Sequence, residues 1–174
     1  MGDIISQLLF FTRLAQGTET VNKEEVCLSA LVEEVCAEQK MLPMEGRKNI
    51  SLICDVSPKV YAFTDRSLLT LCLNNLISNA YKYGKENGHI HVSLCRDTDK
   101  ILISVKDDGI GISPENLPKI WERFYQAETS RSADINERGL GLGLSMVNQI
   151  CKLLDITAEV NSTLGEGSEF TLEF

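Results

Sequence analysis

The sequence predicts an α+β protein in which one mixed, largely antiparallel sheet is covered by helices on one face. Residues 89–95 and 100–107 alternate between apolar and polar side chains and are separated by the turn sequence Arg-Asp-Thr-Asp, which is typical of a β-hairpin. Residues 66–83 and 140–154 instead have apolar side chains at helical spacing. Because strands and helices do not alternate strictly and the hairpins imply antiparallel pairs, we expect a two-layer sandwich.

The elements in the first third of the chain are shorter. Apolar side chains at helical spacing predict a helix over residues 2–16. A short strand at 24–28 precedes a second helix, for which Ser29 is the expected N-terminal cap. Residues 49–54 and 59–64 are expected to form a pair of strands.

The remaining elements surround one long connection. Asp65 stands where it can cap the helix that follows it. Residues 108–138 are polar and rich in Gly, Ser and Arg, with one short helix expected around 114–124. Connections of this length in compact domains are usually functional or disordered. Beyond the last helix, residues 156–162 and 168–174 are expected to be two closing strands.

Composition limits the classes of function. The chain has 174 residues and a formal net charge of −8, which fits one globular domain and argues against a nucleic-acid-binding surface. Its six cysteines form no C-x-x-C motif, so we expect mostly buried, reduced thiols in a cytoplasmic protein. The sequence contains neither an apolar stretch long enough for a membrane span nor a signal-peptide pattern.

The helix at 66–83 carries a polar ridge. Asn75 and Asn79 are one turn apart, and Lys82 and Tyr83 continue the same face. An amide oxygen can ligate Mg²⁺, an ammonium group can bind phosphate, and a tyrosine ring can pack on a base. From this helix alone, a nucleotide site and a solvated polar face are equally compatible with the pattern.

The sequence ISVKDDGIGIS ends the predicted hairpin with an acid. Asp107 has the same parity as the apolar residues of its strand, so its carboxylate should point to the buried side. A buried charge needs a donor, and none is evident nearby in the sequence. The exocyclic amine of adenine would serve, with Gly109 and Gly111 letting the backbone approach a flat ligand. An ordinary turn after a strand uses the same residue types.

Three glycines stand at the entrance of the last helix. Gly139, Gly141 and Gly143 leave the main chain bare where free N–H groups and the helix dipole favour phosphate oxygens. No G-K-[ST] sequence follows, so the segment is not a P-loop, and the polar loop before it excludes a Rossmann fingerprint. A flexible hinge before a helix is the alternative.

Together these segments resemble the ATP-binding fold of the GHKL superfamily, named for gyrase, heat-shock chaperone, histidine kinase and MutL. Their order and spacing are most similar to the catalytic domain of a bacterial sensor histidine kinase. NNLISNAYKYG resembles its asparagine box, DDGIGI and GLGLGLSMV its two glycine boxes, WERFYQ its phenylalanine box, and STLGEGSEFTLEF its closing segment. The resemblance covers roughly residues 20–174. It implies about five strands, three main helices on one face of the sheet and a long lid over ATP.

The resemblance also implies roles for individual residues. Asn79 would be the Mg²⁺ ligand with Asn75 beside it, and Lys82 would reach phosphate; Asn75 and Lys82 are the implied catalytic residues. Tyr83 would lie against adenine, and Asp107 would bind the adenine amine.

The lid and the glycine boxes supply the other implied ATP contacts. Residues 113–138 would form the lid, anchored by Phe124, with Arg131 and Arg138 as candidate phosphate contacts. The remaining residues implied to bind the nucleotide are Gly109, Gly111, Ile112, Gly139, Leu140, Gly141, Leu142, Gly143, Leu144 and Ser168.

Asn75 distinguishes subfamilies of this fold. In the ATP-hydrolysing members its place is taken by Glu, a general base for water, and an amide is not a useful base at neutral pH. The resemblance therefore implies transfer of the γ-phosphoryl group to a histidine on a dimerisation helix that this chain lacks. His89 and His91 alternate on a strand and are expected to be structural surface residues. A serine kinase of the anti-sigma-factor type and a non-catalytic, nucleotide-gated interaction module remain the alternatives.

The resemblance divides the chain and names its partners. Residues 1–17 would be the end of the second dimerisation helix, 18–25 a linker and 26–174 the catalytic domain. The expected cofactors are ATP and Mg²⁺. The expected partners are the protein's own dimerisation and phosphoacceptor helices in a homodimer and a cognate response regulator, with no nucleic acid. Membrane contact would be made only by upstream segments of a parent protein anchored in the bacterial inner membrane.

Overall fold

The computed structural model describes residues 12–13, 20–42, 48–126 and 141–174. Within these ranges the strands are β1 (Glu24–Cys27), β2 (Ser51–Val56), β3 (Tyr61–Thr64), β4 (His89–Asp97), β5 (Lys100–Asp107), β6 (Thr157–Thr163) and β7 (Gly167–Glu173). The helices are α1 (Leu28–Met41), α2 (Arg66–Tyr83) and α3 (Gly143–Leu154).

The strands form two sheets. The main sheet has the order β2-β4-β5-β7-β6; β2 and β4 are parallel, and every other neighbouring pair is antiparallel. A small second sheet pairs β1 with β3 in antiparallel orientation. The predicted α+β class with a mixed, largely antiparallel sheet of about five strands is confirmed.

The core lies between the main sheet and the helices. α1 packs on β2, α2 on β4 and β5, and α3 on β6, and alternate strand residues face this layer. The outer face of the sheet carries polar cross-strand pairs such as Ser104 with Glu169 and Lys100 with Glu173. The largest fully buried side chains are Leu28, Leu31, Val32, Leu69, Leu73, Leu76, Ile77, Ile90, Leu94, Ile103, Ile150 and Leu172.

Asp65 caps α2 as predicted. Its Oδ1 accepts a hydrogen bond from the Leu68 N–H at 3.0 Å, which satisfies one of the unpaired donors of the first turn. Its Oδ2 accepts from the Asn22 N–H at 2.8 Å. β1 begins at Glu24, so the folded unit already includes residues that the sequence assigned to a linker ending at 25.

Three local predictions were wrong. Ser29 does not cap α1, because the helix begins at Leu28 and the Ser29 hydroxyl donates to the Ser57 carbonyl and accepts from the Val60 N–H. The strands predicted at 49–54 and 59–64 exist as β2 and β3 but lie in different sheets. Residues 114–124 form successive turns instead of a regular helix.

Other boundaries differ by a few residues. β4 continues to Asp97, two residues beyond its predicted end, and α3 begins at Gly143 instead of residue 140. The predicted N-terminal helix lies outside the described residues except for Thr12 and Arg13, which are helical. Among the residues that the structure describes, no helix combines the length and apolar character needed to span a bilayer.

The cysteines are free thiols, as predicted, but only half of them are fully buried. Cys36, Cys72 and Cys151 are buried, whereas Cys95 is exposed. Burial, with a hydrogen bond that the Cys36 thiol donates to Cys54, raises the pKa of Cys36 to about 12. The reactive thiolate is therefore scarce at this position at neutral pH.

We expect iodoacetamide to alkylate Cys95 first in the folded protein, with Cys36, Cys72 and Cys151 protected. Only an accessible thiolate reacts with iodoacetamide, and the side chains of these three cysteines are buried. At Cys36 the raised pKa disfavours the thiolate as well. Peptide mapping by mass spectrometry after brief alkylation measures the order, and a sample unfolded in urea is the control. Equal labelling of Cys72 and Cys95 in the native protein would contradict the packing described above.

Candidate functional site

The polar ridge of α2 faces the start of α3. Asn75 and Asn79 are half-buried, and the Asn75 Nδ2 donates to the Leu71 carbonyl at 2.8 Å. A Cβ atom at Gly143 would lie 3.1 Å from Asn75 Oδ1 and 3.8 Å from Asn79 Nδ2. The structure thus brings both predicted amides against the glycine that begins α3.

Among the residues that the structure describes, no side chain caps the first turn of α3, which begins beside these amides. Leu142, the residue before the helix, is buried in the core and provides no side-chain cap. The Ser145 hydroxyl donates to the Leu142 carbonyl at 2.9 Å, so it does not accept from the first N–H groups through that bond. Leu144 packs on the core. Both leucines therefore hold the start of the helix against the core through their side chains.

Gly143→Ala is expected to separate ligand binding from stability. Alanine is better than glycine within a helix by up to about 1 kcal/mol, so the free energy of unfolding should stay unchanged or rise. Its Cβ would press on Asn75 and fill the approach to the helix terminus, and ADP affinity should fall about tenfold. Urea denaturation and calorimetric titration measure the two effects. A parallel loss of stability and affinity would contradict this interpretation.

Asp107 lies at the end of β5 and is 7% exposed. Burial raises the pKa of its carboxyl group above the ordinary value, while the N–H groups of Gly109 and Ser168 act in the opposite direction and the charge of Asp108 adds to the rise. The Gly109 N–H donates to Oδ1 at 2.8 Å. No donor was evident nearby in the sequence, but the turn itself provides one through its main chain.

These main-chain bonds orient the carboxylate without neutralising it. An ionised carboxylate can accept about four hydrogen bonds, and the structure records main-chain donors from only two of the described residues. The Asp107 side chain is thus held in one orientation at the end of the central strand, and its carboxylate can still accept further hydrogen bonds.

The first glycine box packs on the C-terminus of α2. A Cβ atom at Gly109 would overlap the Tyr83 carbonyl oxygen, and the Ile110 N–H donates to that oxygen at 3.1 Å. The Lys82 ammonium lies 5.1 Å from the centroid of the Tyr83 ring. Tyr83 is two helical turns beyond Asn75, roughly 12 Å along the axis. α2 therefore connects the amide end of the site with the Asp107 end.

Lys48 is a site residue that the sequence did not reveal. Its Nζ donates to the carbonyl groups of Lys82 at 3.2 Å and Gly84 at 3.1 Å, at the C-terminus of α2. A cation there satisfies terminal carbonyl groups and complements the helix dipole. No local sequence pattern identifies Lys48, because the carbonyl groups that it binds lie more than 30 residues later in the chain.

The second missed residue is Ser162 on β6. A side chain at Gly111, which has φ +64°, would overlap the Thr163 carbonyl oxygen, so this glycine turn lies directly against β6. Next to it, the Ile112 N–H donates to the Ser162 Oγ at 2.8 Å. Ser162 has the parity of the inward-facing residues of its strand, and this feature could have identified it from the sequence.

The phenylalanine box lies beside the start of the second glycine box. Phe124, which was expected to anchor the lid, is 63% exposed, and its N–H donates to the Gly141 carbonyl at 3.1 Å. Trp121 is the aromatic residue that packs on the sheet, edge-on to Phe170 with ring centroids 6.0 Å apart. The other predicted residues of the lid and its border, Arg131, Arg138, Gly139 and Leu140, lie outside the described residues.

Asp108 has a different environment from its neighbour Asp107. Partial desolvation raises the pKa of its carboxyl group, but hydrogen bonds from the His89 N–H and ring and the charge of Lys85 outweigh it and hold the pKa below the ordinary value. His89 Nδ1 lies 3.1 Å from Asp108 Oδ2, and His89 is exposed. His91 is half-buried on the same strand.

One cavity lies at the β6–β7 hairpin, and a second cavity borders α2. The first, of about 240 Å³, is lined by Asp107, Ser162 and Ser168 together with residues of the β6–β7 turn. The second, of about 400 Å³, lies at the N-terminus of α2, around Asp65 and Arg66, and contains none of the predicted site residues. Across the described part of the chain, no group of three or more His, Cys, Asp or Glu side chains is arranged to hold a metal ion.

Comparison with protein-family models gives one match that covers most of the chain. The model described as histidine kinase-, DNA gyrase B-, and HSP90-like ATPase matches residues 64–174. This range includes α2, the β4–β5 hairpin, both glycine segments and the closing hairpin.

Relatives of known name are sensor proteins. The sensor histidine kinase RppB of Synechocystis sp. is 34% identical over 99% of this chain and 37% of its own length. The phosphate regulon sensor protein PhoR of Pseudomonas aeruginosa is 31% identical over 100% of this chain and 38% of its own length. The chain thus spans well under half of these relatives.

Solved structures agree with the fold. Full-length ShkA in complex with AMPPNP has a TM-score of 0.80 and 26% identity, covering 98% of this chain and 35% of that chain. The catalytic domain of the histidine kinase ThkA has a TM-score of 0.71 and 25% identity, covering 88% of this chain and 95% of that chain. The ThkA domain matches nearly the whole of the fold described above.

Proposed function

The chain belongs to the family of histidine kinase-, DNA gyrase B- and HSP90-like ATPases, and from that membership we propose that it is the ATP-binding catalytic domain of a sensor histidine kinase. One observation carries the proposal: α2 joins two half-sites of complementary chemistry. One half-site lies near the middle of the helix, where the amides pack against the start of α3, and the other lies at its C-terminus. At this second half-site, an oriented buried carboxylate lies beside a glycine turn.

The Asp107 end is suited to adenine. The carboxylate is held by the Gly109 N–H and has acceptor capacity left for the exocyclic amine. Tyr83, whose carbonyl group packs on the same glycine turn, would supply an aromatic face for the base. The main chain at Gly109 and Gly111 is packed too closely for side chains, which leaves a flat surface for a base.

The α3 end is suited to the phosphates. Main-chain N–H groups at a helix N-terminus attract phosphate oxygens. Lys82, three residues beyond Asn79 on α2, would add a positive charge on the phosphate side of the base. The Asn79 amide fits a Mg²⁺ ion that is shared with phosphate oxygens, because Mg²⁺ is usually held by few protein ligands, substrate phosphates and water. When bound, the ion would neutralise charge that develops on the phosphates.

Asn75 favours transfer to a protein over hydrolysis. Its Nδ2 is committed to the Leu71 carbonyl, and an amide has no basic atom to take a proton from water. The phosphoryl acceptor is therefore a histidine of the dimerisation helices, with a response regulator receiving the group afterwards. His89 is occupied by Asp108 and stands at the start of a sheet strand, so it is not the acceptor.

Two measurements test the proposal. Calorimetric titration with ADP or ATP, with and without Mg²⁺, should give saturable one-site binding that Mg²⁺ strengthens for ATP. Labelled ATP and a separately prepared dimerisation domain of the parent kinase should then yield phosphate that is lost in acid, as phosphohistidine is. Acid-stable phosphate would identify a serine kinase. Binding without transfer to any dimerisation domain would favour a nucleotide-gated interaction module.

A further inference from the structure

Three polar residues form one row across three neighbouring strands. Asp107 on β5 is paired with Ser168 on β7, and Ser168 is paired with Ser162 on β6. Side chains directly opposite each other on antiparallel strands share a face and lie close together. Asp107 and Ser168 are buried and Ser162 is half-buried, so the row lies on the inner face of the sheet at its ligand-binding edge.

The hydroxyl proton of Ser162 has a defined position. The Ile112 N–H points at its Oγ at 2.8 Å and can only donate. The Gly167 carbonyl lies 2.8 Å away and can only accept. The Ser168 Oγ lies 2.9 Å from the Ser162 Oγ. All three contacts of the Ser162 Oγ can be hydrogen bonds only when the single proton of Ser162 goes to that carbonyl. Because Ser162 has no second proton, Ser168 must be the donor of this bond.

This assignment fixes the chemistry that Ser168 presents. Its only proton is used on Ser162, so its remaining capacity is two lone pairs. Asp107, in the next position of the row, is also an acceptor. The edge of the sheet that faces the base thus offers hydrogen-bond acceptors from both side chains.

We propose that Ser162 is a specificity-determining positioning residue. Because Ser162 accepts a hydrogen bond from the Ser168 hydroxyl, only hydrogen-bond acceptors remain at the base end of the site. This arrangement selects a 6-amino purine over a 6-oxo purine. This inference rests on the proposed nucleotide site and deepens it. At the position of the 6-amino group, a 6-oxo purine would place a carbonyl oxygen against acceptors, which leaves buried polar groups unpaired there. Ser162 acts through Ser168 and does not itself touch the base.

Calorimetric titration of the full chain with ADP and IDP tests this role. IDP has a carbonyl group where ADP has its 6-amino group and carries a proton on N1. In Ser162→Ala, the Ser168 hydroxyl is free to turn and donate, so the ratio of ADP to IDP affinity should fall about fivefold, with IDP gaining. Ser162→Thr keeps the hydroxyl and should keep the wild-type ratio.

Ser168→Ala gives an independent arm, and it does not depend on the folding of Ser162→Ala. Removing an acceptor should weaken ADP about fivefold and leave IDP nearly unchanged. A merely structural role would weaken both nucleotides equally and leave the ratio constant. An unchanged ratio in folded Ser162→Ala, or a larger loss for IDP than for ADP in Ser168→Ala, would overturn the inference while leaving the nucleotide site intact. If the wild-type chain bound neither nucleotide, the proposed function itself would be wrong, and the inference with it.

Discussion

Asp107→Asn is expected to weaken ADP binding about 100-fold. Hydrogen bonds to a charged group contribute about 1.5–3 kcal/mol, and the new amide group would place N–H donors where the adenine amine also donates. The Gly109 N–H can still bond to the remaining carbonyl oxygen, so the turn should keep its conformation. Calorimetric titration gives the affinity, and thermal unfolding without nucleotide shows whether the fold is intact.

Asp108→Asn is the matched control. Asp108 is adjacent in sequence, but its carboxylate is directed to His89 and Lys85 and not to the buried face. The same chemical change there should alter ADP affinity by less than about threefold, as surface charge contacts are weak. Equal losses in both variants, or none in Asp107→Asn, would contradict base recognition by Asp107.

The pH dependence of binding should report the same carboxyl group. Burial raises the pKa of Asp107 in the folded protein, so its folded state holds the proton more tightly than its unfolded state. ADP affinity should therefore fall as pH falls through this raised pKa, because the protonated form loses acceptor capacity. The free energy of unfolding has the opposite pH dependence. It should fall as pH rises from the unfolded-state pKa to the folded-state pKa of Asp107, because ionisation of the buried carboxyl group opposes folding. In Asp107→Asn, the contributions of this carboxyl group to the pH dependence of ADP affinity and of the free energy of unfolding should both vanish. If the pH dependence of ADP affinity were unchanged by the substitution, it would have to come from other titratable groups.

Gly109→Ala is expected to lower the free energy of unfolding by about 3 kcal/mol and to remove measurable ADP binding. The added Cβ would overlap the Tyr83 carbonyl oxygen and lie 2.8 Å from both Asp107 Oδ1 and the Gly84 Cα. Two of these three neighbours are main chain and cannot move aside by a rotamer change, so the strain falls on the fold. Urea denaturation measures the loss, and calorimetry the binding.

Gly143→Ala serves as the comparison for this prediction. The same substitution at Gly143, beside the middle of α2, meets side-chain amides, which can shift, and it adds a good helix former. The two variants should therefore both lose affinity but differ in the sign or size of their stability change. A stable Gly109→Ala protein would show that the glycine turn is not held against α2 in solution.

The sequence predicted best where the determinants are local. The bounds of α2 follow from the Asp65 cap and from apolar side chains at helical spacing, and the β4–β5 hairpin follows from alternation and a short turn. The carboxylate of Asp107 and the glycines near it were also recognisable, because parity and residue type are properties of one short segment.

Distant partners could not be predicted. β2 pairs with β4 and β3 with β1, and nothing in the strands themselves specifies these choices. Ser29 resembles a cap locally, but its hydroxyl is used by the connection between β2 and β3. Lys48 likewise meets the end of α2 only after the chain has folded.

The parallel pairing of β2 with β4 has a consequence for how such a site can be lost. Parallel neighbours need a crossover connection, and here that crossover contains α2, the helix that carries Asn75 and Asn79. Deleting or unwinding it would detach an outer strand and open the hydrophobic layer. A lineage that abandons nucleotide use must therefore retain this helix as scaffold and change only individual side chains or the glycine turns. Inactive descendants should accordingly keep the architecture while their amides and glycines diverge.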